Sequence, residues 1–369
     1  MTAGVPETTS LAPIDSRALE GQIGHLTAQQ EAALKEFKEQ LAAKGYAVDD
    51  EVALVRFLRA RKFDPAGAFA QYTSAEDWRR LERIDELYDN FPLDEFEQAR
   101  RLYPQWTGRR DKAGLPVYVF KVGALKNSDT DAYVKAGQQR LEQRMVALYE
   151  HMVQFVLPFC SSLPREHNET PISGCATIVD ISNVSLRRFW QLREHMQRAS
   201  VLASARYAET LGSIYLIGAP SFFSTVWGWV KRWFDPGTVE KIHILPSSPS
   251  AIHTILTTHI PPSSIPRAYG GELDWDFGAP GPALDDDARA KIGGGELPEG
   301  PVRWDSNGGR VRVVGQGRAG KDELAQEANE APATKLAAAK EETFVTPPTS
   351  PSQEVTKASL SQKLEETRL

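Results

Sequence analysis

The stretch that decides the interpretation of this chain is SFFSTVWGWVKRWFDPGTVEKIHIL, residues 221–245. At about 100° per residue, its first half places the apolar side chains on one continuous helical arc of roughly 160°. The seven residues 227–233 contain three of the eight tryptophans of the chain. So much indole indicates a large core, a membrane interface or an apolar ligand beneath this aromatic helix. The arc consists of Phe222, Phe223, Val226, Trp227, Trp229, Val230, Trp233 and Phe234.

A turn follows the aromatic helix and carries polar groups. Residues 235–237 read Asp-Pro-Gly, which is a strong turn signal. Thr238 and Lys241 come next and lead into the apolar run at residues 242–245. A hydroxyl and an ammonium group therefore lie beside apolar residues, an arrangement suited to a phosphate on an apolar body.

Composition sets the limits of the folded part. The chain has 369 residues, 41% of them hydrophobic, and a net charge of −6, which argues against a protein that coats nucleic acid. Residues 1–24 and 283–369 lack periodicity and are rich in Ser, Thr, Pro, Ala, Glu or Lys, so we expect them to be mostly disordered. The sequence shows no transmembrane run and no signal peptide. We interpret Cys160 and Cys175 as reduced thiols and expect no metal site.

The body between these ends divides into two parts. Residues 25–102 follow helical periodicity and predict a small N-terminal helical domain. From residue 103 to 282, short apolar strands alternate with helices, and such crossovers imply an α/β domain with a largely parallel sheet. The predicted strands are 117–122, 175–180, 213–217 and 241–245, and the predicted long helices are 130–160 and 185–211.

Enzyme motifs are weak. Residues 315–321 contain both GxGxxG and GxxxxGK, but Asp322 stands where a phosphate-binding loop needs Ser or Thr, and no buried strand follows. His243 and His253 fit core or rim positions better than catalytic ones. We therefore predict no catalytic residues.

Several blocks in the body resemble the CRAL-TRIO lipid-binding proteins, and within them the secretory-pathway phosphatidylinositol transfer proteins. The resemblance runs from about Leu26 to Glu272 and covers nearly all of the folded body. Its densest blocks are LVRFLRARKFD (54–64), YPQ (103–105), GLPVY (114–118), YE (149–150), TIVD (177–180), IGAP (217–220), FDPGTVEKI (234–242) and YGGE (269–272). It implies a sheet that floors an apolar cavity for one phospholipid, with the aromatic helix as a movable gate.

The resemblance also implies binding residues. For the phosphatidylinositol head group they are Arg61, Glu209, Asp235, Thr238 and Lys241, and for the gate they include Lys231 and Arg232 beside the apolar arc. For a second, choline-containing lipid they are Tyr118, Tyr149, Cys175 and Thr177. At two positions the chain departs from that pattern, because Cys175 replaces a serine and Thr107 replaces a tyrosine. The second lipid can therefore be another molecule, such as a sterol.

The expectation is a cytoplasmic, monomeric lipid carrier that visits Golgi or endosomal membranes transiently. It would exchange phosphatidylinositol between membranes or present it to a lipid kinase, with phospholipid as cargo, no cofactor and no nucleic-acid partner. A lipid-sensing scaffold without net transfer is the alternative, and an enzyme acting on a small apolar substrate is a weaker one.

Overall fold

The N-terminal part is helical, as the sequence predicts. A computed structural model describes residues 19–124, 137–234 and 236–316 of the chain. Thr27 begins the first helix with a capping box, since its side chain accepts from the Gln30 N–H and the Gln30 side chain accepts from the Thr27 N–H. Leu34, Phe37 and Leu41 then form the buried stripe. The helices are α1 (Ala28–Ala43), α2 (Glu51–Ala60), α3 (Pro65–Leu81), α4 (Ile84–Asp89) and α5 (Leu93–Leu102).

A five-stranded sheet follows, with its strands in sequential order. The second to fifth strands run parallel, as predicted, and the first is antiparallel to the second. The first strand reads QWTGRR and was not predicted, because it contains too few apolar residues to show a strand pattern. The strands are β1 (Gln105–Arg110), β2 (Pro116–Lys121), β3 (Cys175–Asp180), β4 (Leu211–Ile217) and β5 (Ile242–Ile244).

Helices connect the parallel strands. The predicted long helix is α6 (Gln138–His151), which continues through a π-helical turn at Met152–Val156 into α7 (Leu157–Ser161). Residues 125–136 lie outside the described part. The others are α8 (Leu186–Arg206), α9 (Phe223–Val230), α10 (Pro236–Glu240), α11 (Pro249–His259) and α12 (Asp286–Lys291). Within the described part, no helix combines the length and apolarity that a membrane span requires.

The two faces of the sheet differ in their cover. The back face carries Val119, Ile178 and Tyr215, which pack against α11 and the segment after it, including Ile265 and Trp275. The front face carries the alternate residues of the same strands, and register places Tyr118 beside Thr177 and Val179 beside Leu216. The π-helical turn and α7 cover one end of the front face, and α8 and α9 cover the other.

The folded part extends beyond the boundary at residue 282 that composition suggested. Residues 283–316 form α12 and a hairpin of β6 (Val302–Asp305) and β7 (Arg310–Val313). Leu284, Ala288, Val302 and Trp304 join the core that contains Phe159. The low aromatic content of residues 283–316 did not indicate that they fold. A few well-spaced apolar residues are enough to order such a segment when they pack on a core formed by other parts of the chain.

The glycine motif at residues 315–321 begins at the end of this hairpin. The Gly315 N–H donates to the Asp89 carbonyl at 2.8 Å, and the Gln316 N–H donates to the Phe91 carbonyl at 3.1 Å. These bonds attach the end of the hairpin to the helical part. Residues 1–18 and 317–369, which include Lys321 and most of both predicted disordered ends, lie outside the described part.

Replacing Trp304 with alanine tests whether the hairpin belongs to the core. Trp304 is 8% exposed, and its ring centroid lies 5.1 Å from that of Phe159. We expect Trp304→Ala to lower the free energy of unfolding in urea by roughly 3–5 kcal/mol, as for other buried aromatic residues. The control Val313→Ala, at a residue that is 43% exposed, should change it by less than about 0.5 kcal/mol. Equal effects of the two substitutions would contradict a structural role for the hairpin.

Candidate lipid-binding site

Three charged side chains from distant parts of the sequence meet at the start of β4 and β5. The Lys241 Nζ donates to the Glu209 Oε2 at 3.0 Å, and the Arg59 Nη2 lies 3.5 Å from the same oxygen. Their side chains are 22%, 17% and 22% exposed, respectively. We call Arg59, Glu209 and Lys241 the charged cluster. Two cations share one carboxylate, so a net positive charge is available to an anion.

Glu209 occupies an unusual backbone position. Helix α8 ends at Arg206, earlier than predicted, and Glu209 lies in the turn before β4 with φ of +57°. A non-glycine residue in this left-handed region costs about 1–2 kcal/mol. The neighbouring Tyr207 and Ala208 are buried and hold the turn in place. Glu209 is one of six non-glycine residues with positive φ in the described part. Such strain is concentrated at functional sites, so the conformation adds to the case for Glu209.

Arg59, not Arg61, supplies the second cation. Arg61 follows the last residue of α2, is exposed, and donates from Nη1 to the Ala60 carbonyl at 3.1 Å. Its predicted contact with the head group therefore stays a prediction. Burial lowers the pKa of Arg59, while the Glu209 carboxylate opposes that shift. No signal in the sequence singles out Arg59, because residues 56–61 contain three arginines.

The other predicted head-group residues precede Lys241. Thr238 lies in α10, half-buried, and its carbonyl accepts the Lys241 N–H at 3.1 Å. This bond fixes Thr238 one turn before the ammonium group. Asp235 lies outside the described residues.

The predicted second-lipid residues also come together, on the front face of β2 and β3. Tyr118 pairs with Thr177, and the Cys175 Sγ lies 3.7 Å from the Thr177 Oγ1. Burial raises the pKa of Cys175 to about 11. The Cys175 N–H donates to the carbonyl of Thr210, the residue after Glu209, at 3.0 Å, so the charged cluster is close by. Burial also raises the pKa of Tyr149, and Cys175 contributes to that shift. We call Tyr118, Tyr149, Cys175 and Thr177 the tyrosine cluster.

Two aromatic residues beside the tyrosine cluster were not selected from the sequence. Trp106 pairs with Tyr118 across β1 and β2 and belongs to the same core as Cys175. Tyr207 stacks on Tyr149 with ring centroids 4.7 Å apart. Thr107, in contrast, is fully buried and its hydroxyl donates to the Val117 carbonyl at 3.0 Å. The Thr107 hydroxyl therefore links β1 to β2.

The Tyr207 hydroxyl anchors this region to a buried carboxylate. It donates to the Glu150 Oε1 at 2.6 Å, and Glu150 is completely buried. The Arg79 Nη1 from α3 donates to the same oxygen at 2.6 Å, and Gln154 donates to the other oxygen. We call Arg79, Glu150, Gln154 and Tyr207 the buried network.

The aromatic helix covers the other end of the front face. It comprises α9 and a 3₁₀ turn at Lys231–Trp233. Phe223, Val226 and Val230 are buried in one cluster with Phe189 and Leu216, and Phe222, Trp227 and Phe234 pack partly against it. Trp229 is 50% exposed at the margin of the predicted arc, and Lys231 and Arg232 are exposed. The structure describes no side-chain environment for Trp233.

An apolar strip joins the charged cluster to the aromatic helix. It consists of front-face side chains that are only half-buried. Three of them belong to the interior strands β2, β3 and β4, and two belong to the edge strand β5. Phe120, Val179 and Ile244 touch the core under the aromatic helix, while Ile214 and Ile242 lie one register step nearer Lys241. We call Phe120, Val179, Ile214, Ile242 and Ile244 the apolar strip. Polar groups at one end and half-buried apolar groups along the sheet match the two parts of an amphipathic ligand.

Comparisons with known proteins agree with this architecture. The profile of the CRAL/TRIO domain matches residues 100–271, and that of the CRAL/TRIO N-terminal domain matches residues 33–74. A SEC14 cytosolic factor of Kluyveromyces lactis is 35% identical over 260 residues, covering 70% of this chain and 83% of that protein. The Sec14 cytosolic factor of Schizosaccharomyces pombe is 33% identical over 267 residues, covering 72% and 88% of the two chains.

A plant relative and a solved structure extend the comparison. The phosphatidylinositol/phosphatidylcholine transfer protein SFH7 of Arabidopsis thaliana is 32% identical over 225 residues, covering 60% of this chain and 39% of that protein. The crystal structure of Sfh5 superposes with a TM-score of 0.50 at 13% identity, covering 68% of this chain and 89% of Sfh5. That likeness supports the fold. Together with the two domain matches, the extent and identity of these alignments establish that the chain belongs to the CRAL/TRIO family, in the group of the SEC14 cytosolic factors.

Proposed function

We propose that this protein binds phosphatidylinositol and exchanges it between membranes, or presents it to a lipid kinase, without catalysis. The observation that carries the proposal is the charged cluster at the end of the half-buried apolar strip, with the aromatic helix packed over the same strip. The relatives support it, because SFH7 is named for transfer of phosphatidylinositol and phosphatidylcholine. We place the protein in the cytoplasm as a monomer, with transient visits to Golgi or endosomal membranes, in keeping with relatives named cytosolic factors.

The charges of the cluster match the head group. A phosphodiester carries one negative charge, and Lys241 and Arg59 together exceed the charge of Glu209 by one. Because these side chains are about four-fifths buried, hydrogen bonds from them to a phosphate are stronger than they would be in open water. Glu209 would accept hydrogen bonds from inositol hydroxyls, and Thr238 and Asp235 would complete the site.

The apolar strip and the aromatic helix would hold the acyl chains. Each methylene group removed from water contributes about 0.8 kcal/mol, so even half of two acyl chains supplies ample affinity for retention in water. Release then requires the aromatic helix to move. Its half-exposed Trp229 and exposed Lys231 and Arg232 suit contact with an anionic membrane interface.

The tyrosine cluster would serve a second ligand. Cys175 has a neutral thiol, which is a weak hydrogen-bond donor compared with a hydroxyl. A choline-phosphate group therefore loses one strong donor here, and a more apolar ligand such as a sterol fits the surroundings of Tyr118, Tyr149 and Trp106. A lipid-sensing scaffold remains the second candidate, and measurement of vesicle-to-vesicle transfer separates it from a carrier.

The head-group assignment is tested by Lys241→Ala and Glu209→Gln. Each substitution removes a charge-assisted hydrogen bond worth about 1.5–3 kcal/mol, so phosphatidylinositol transfer between vesicles should fall at least tenfold. Circular dichroism should show both variants folded. The matched control is Lys38→Ala, because Lys38 is also a part-buried lysine paired with a glutamate, Glu51. Wild-type transfer by either folded variant would reject the head-group site.

The second-ligand assignment predicts weak phosphatidylcholine transfer. We expect it to be slower than phosphatidylinositol transfer, and Cys175→Ser to raise it severalfold, since a hydroxyl hydrogen bond contributes about 1 kcal/mol. Cys160→Ser places the same change at the other buried thiol and should leave choline-lipid transfer unchanged. Equal transfer of both lipids by the wild-type protein would contradict the assignment.

The membrane role of the aromatic helix predicts a charge dependence. The double variant Lys231→Glu/Arg232→Glu should weaken binding to vesicles that contain phosphatidylserine, because two cations near an anionic surface contribute about 1 kcal/mol each. Lys35→Glu/Lys44→Glu reverses two exposed charges on and just after α1 and serves as the control. Vesicle sedimentation measures binding. Equal loss in both double variants would assign the effect to net charge alone.

A further inference from the structure

We propose that His25, His167 and Glu169 form a binding site for a divalent transition metal, best suited to Zn²⁺. One ligand atom from each of these residues lies within 4.8 Å of the other two. The His167 Nδ1 is 3.2 Å from the Glu169 Oε1, and the His25 Nε2 is 3.7 Å from that oxygen. No local motif in the sequence predicts this site, because some 140 residues separate His25 from the other two ligands.

The distances suit a tetrahedral ion. Zn²⁺ binds imidazole nitrogen at about 2.0–2.1 Å and carboxylate oxygen at about 2.0–2.2 Å, which places neighbouring ligand atoms roughly 3.4 Å apart. The two measured separations of 3.2 and 3.7 Å lie on either side of that value. Two imidazoles and one carboxylate leave the fourth position to water.

One imidazole nitrogen of the cluster lacks a hydrogen-bond partner among the described residues. The His25 Nε2 is buried and makes no hydrogen bond within the described part of the chain. The two imidazole rings meet edge to face with centroids 5.7 Å apart, and one nitrogen of each ring lies near the Glu169 Oε1. His167 lies in the loop before β3 and has a left-handed backbone conformation with φ of +57°. An ion would satisfy the buried nitrogen, since neutral imidazole is a good ligand for zinc.

Surrounding charges favour a cation moderately. The Glu166 Oε1 lies 3.9 Å from the His167 Nε2 and adds a second carboxylate near the site. Arg165 opposes it, but its guanidinium group donates to backbone carbonyls, including that of Ser161 at 2.6 Å. Two acidic side chains thus face one cation that is already hydrogen-bonded.

The site would join the segment before α1 to a loop far away in the sequence. His25 precedes α1, whereas His167 and Glu169 lie in the loop between α7 and β3. The Ser173 hydroxyl donates to the Gln22 Oε1 at 3.1 Å beside the same junction. A metal bound only by the folded arrangement stabilises it by mass action, so the ion would hold the segment before α1 against this loop.

Metal titration of the full chain tests the proposal. Untagged protein is treated with EDTA, exchanged into EDTA-free buffer and titrated with ZnCl₂ by calorimetry, and Co²⁺ is added separately to record absorption bands. We expect one equivalent of Zn²⁺ per chain, a higher Tm with Zn²⁺, and a Co²⁺ spectrum with the intensity of four- or five-coordinate cobalt. All seven histidines lie in the described part, so the remaining segments add no imidazole.

Variants assign the site. His25→Gln, His167→Gln and Glu169→Gln should each weaken Zn²⁺ binding at least tenfold, because each removes one of three protein ligands. The control variants are His253→Gln and Glu82→Gln, in which an exposed histidine or glutamate away from the site is replaced. Both should bind Zn²⁺ with the affinity of the wild-type protein. Absence of saturable binding at one equivalent, a cobalt spectrum of the hexaaqua ion, or equal affinity in ligand and control variants would overturn the proposal. The wild-type measurements decide it even if a variant fails to fold.

Discussion

The arrangement of the site depends on the completely buried carboxylate of Glu150. It lies on α6 and binds Arg79 of α3, so it ties the N-terminal helices to the sheet domain. It also accepts from Tyr207, two residues before Glu209. Removing one partner of such a buried pair typically costs about 3–5 kcal/mol, because the other charge is left without compensation. The strained turn at Glu209 is therefore held in place by the contact of Glu150 with Arg79 and Tyr207. The same contact fixes where the charged cluster lies.

Much of the fold could be predicted from the sequence because periodicity reports burial. The parallel strands were visible as short apolar runs, and Lys241 and Glu209, 32 residues apart, meet because β4 and β5 are parallel neighbours. Strand β1 was hidden by its polar residues, and the hairpin at Trp304 was hidden by its sparse apolar content. Both elements pack on a core that other segments form. The hydrophobic pattern within one segment does not reveal whether that segment packs on other segments.

The arginines in and just after α2 could not be distinguished from the sequence. Arg56, Arg59 and Arg61 are equally basic in the sequence, yet Arg56 is buried, Arg59 is part-buried beside Glu209, and Arg61 is exposed. The end of α2 at Ala60 decides this, because Arg61 lies outside the last helical turn. Helix ends are set by capping and tertiary packing within one or two residues, which is finer than hydrophobic periodicity resolves. The likeness to a family also could not supply His25, since that residue precedes both matched domains.

The ion pair of Lys241 with Glu209 has a consequence for the speed of exchange. A phosphodiester that approaches Lys241 competes with a carboxylate that the ammonium group already holds at 3.0 Å. Binding then replaces one charge-assisted bond with another, and departure restores the first, so neither direction leaves the ammonium group unsatisfied. The head group would thus contribute selectivity and about 1.5–3 kcal/mol of retention through Lys241, while the acyl chains contribute most of the retention. Because Glu209 competes with the phosphate for Lys241, the barrier to release of the lipid is lower. A protein that exchanges lipids between membranes needs such release.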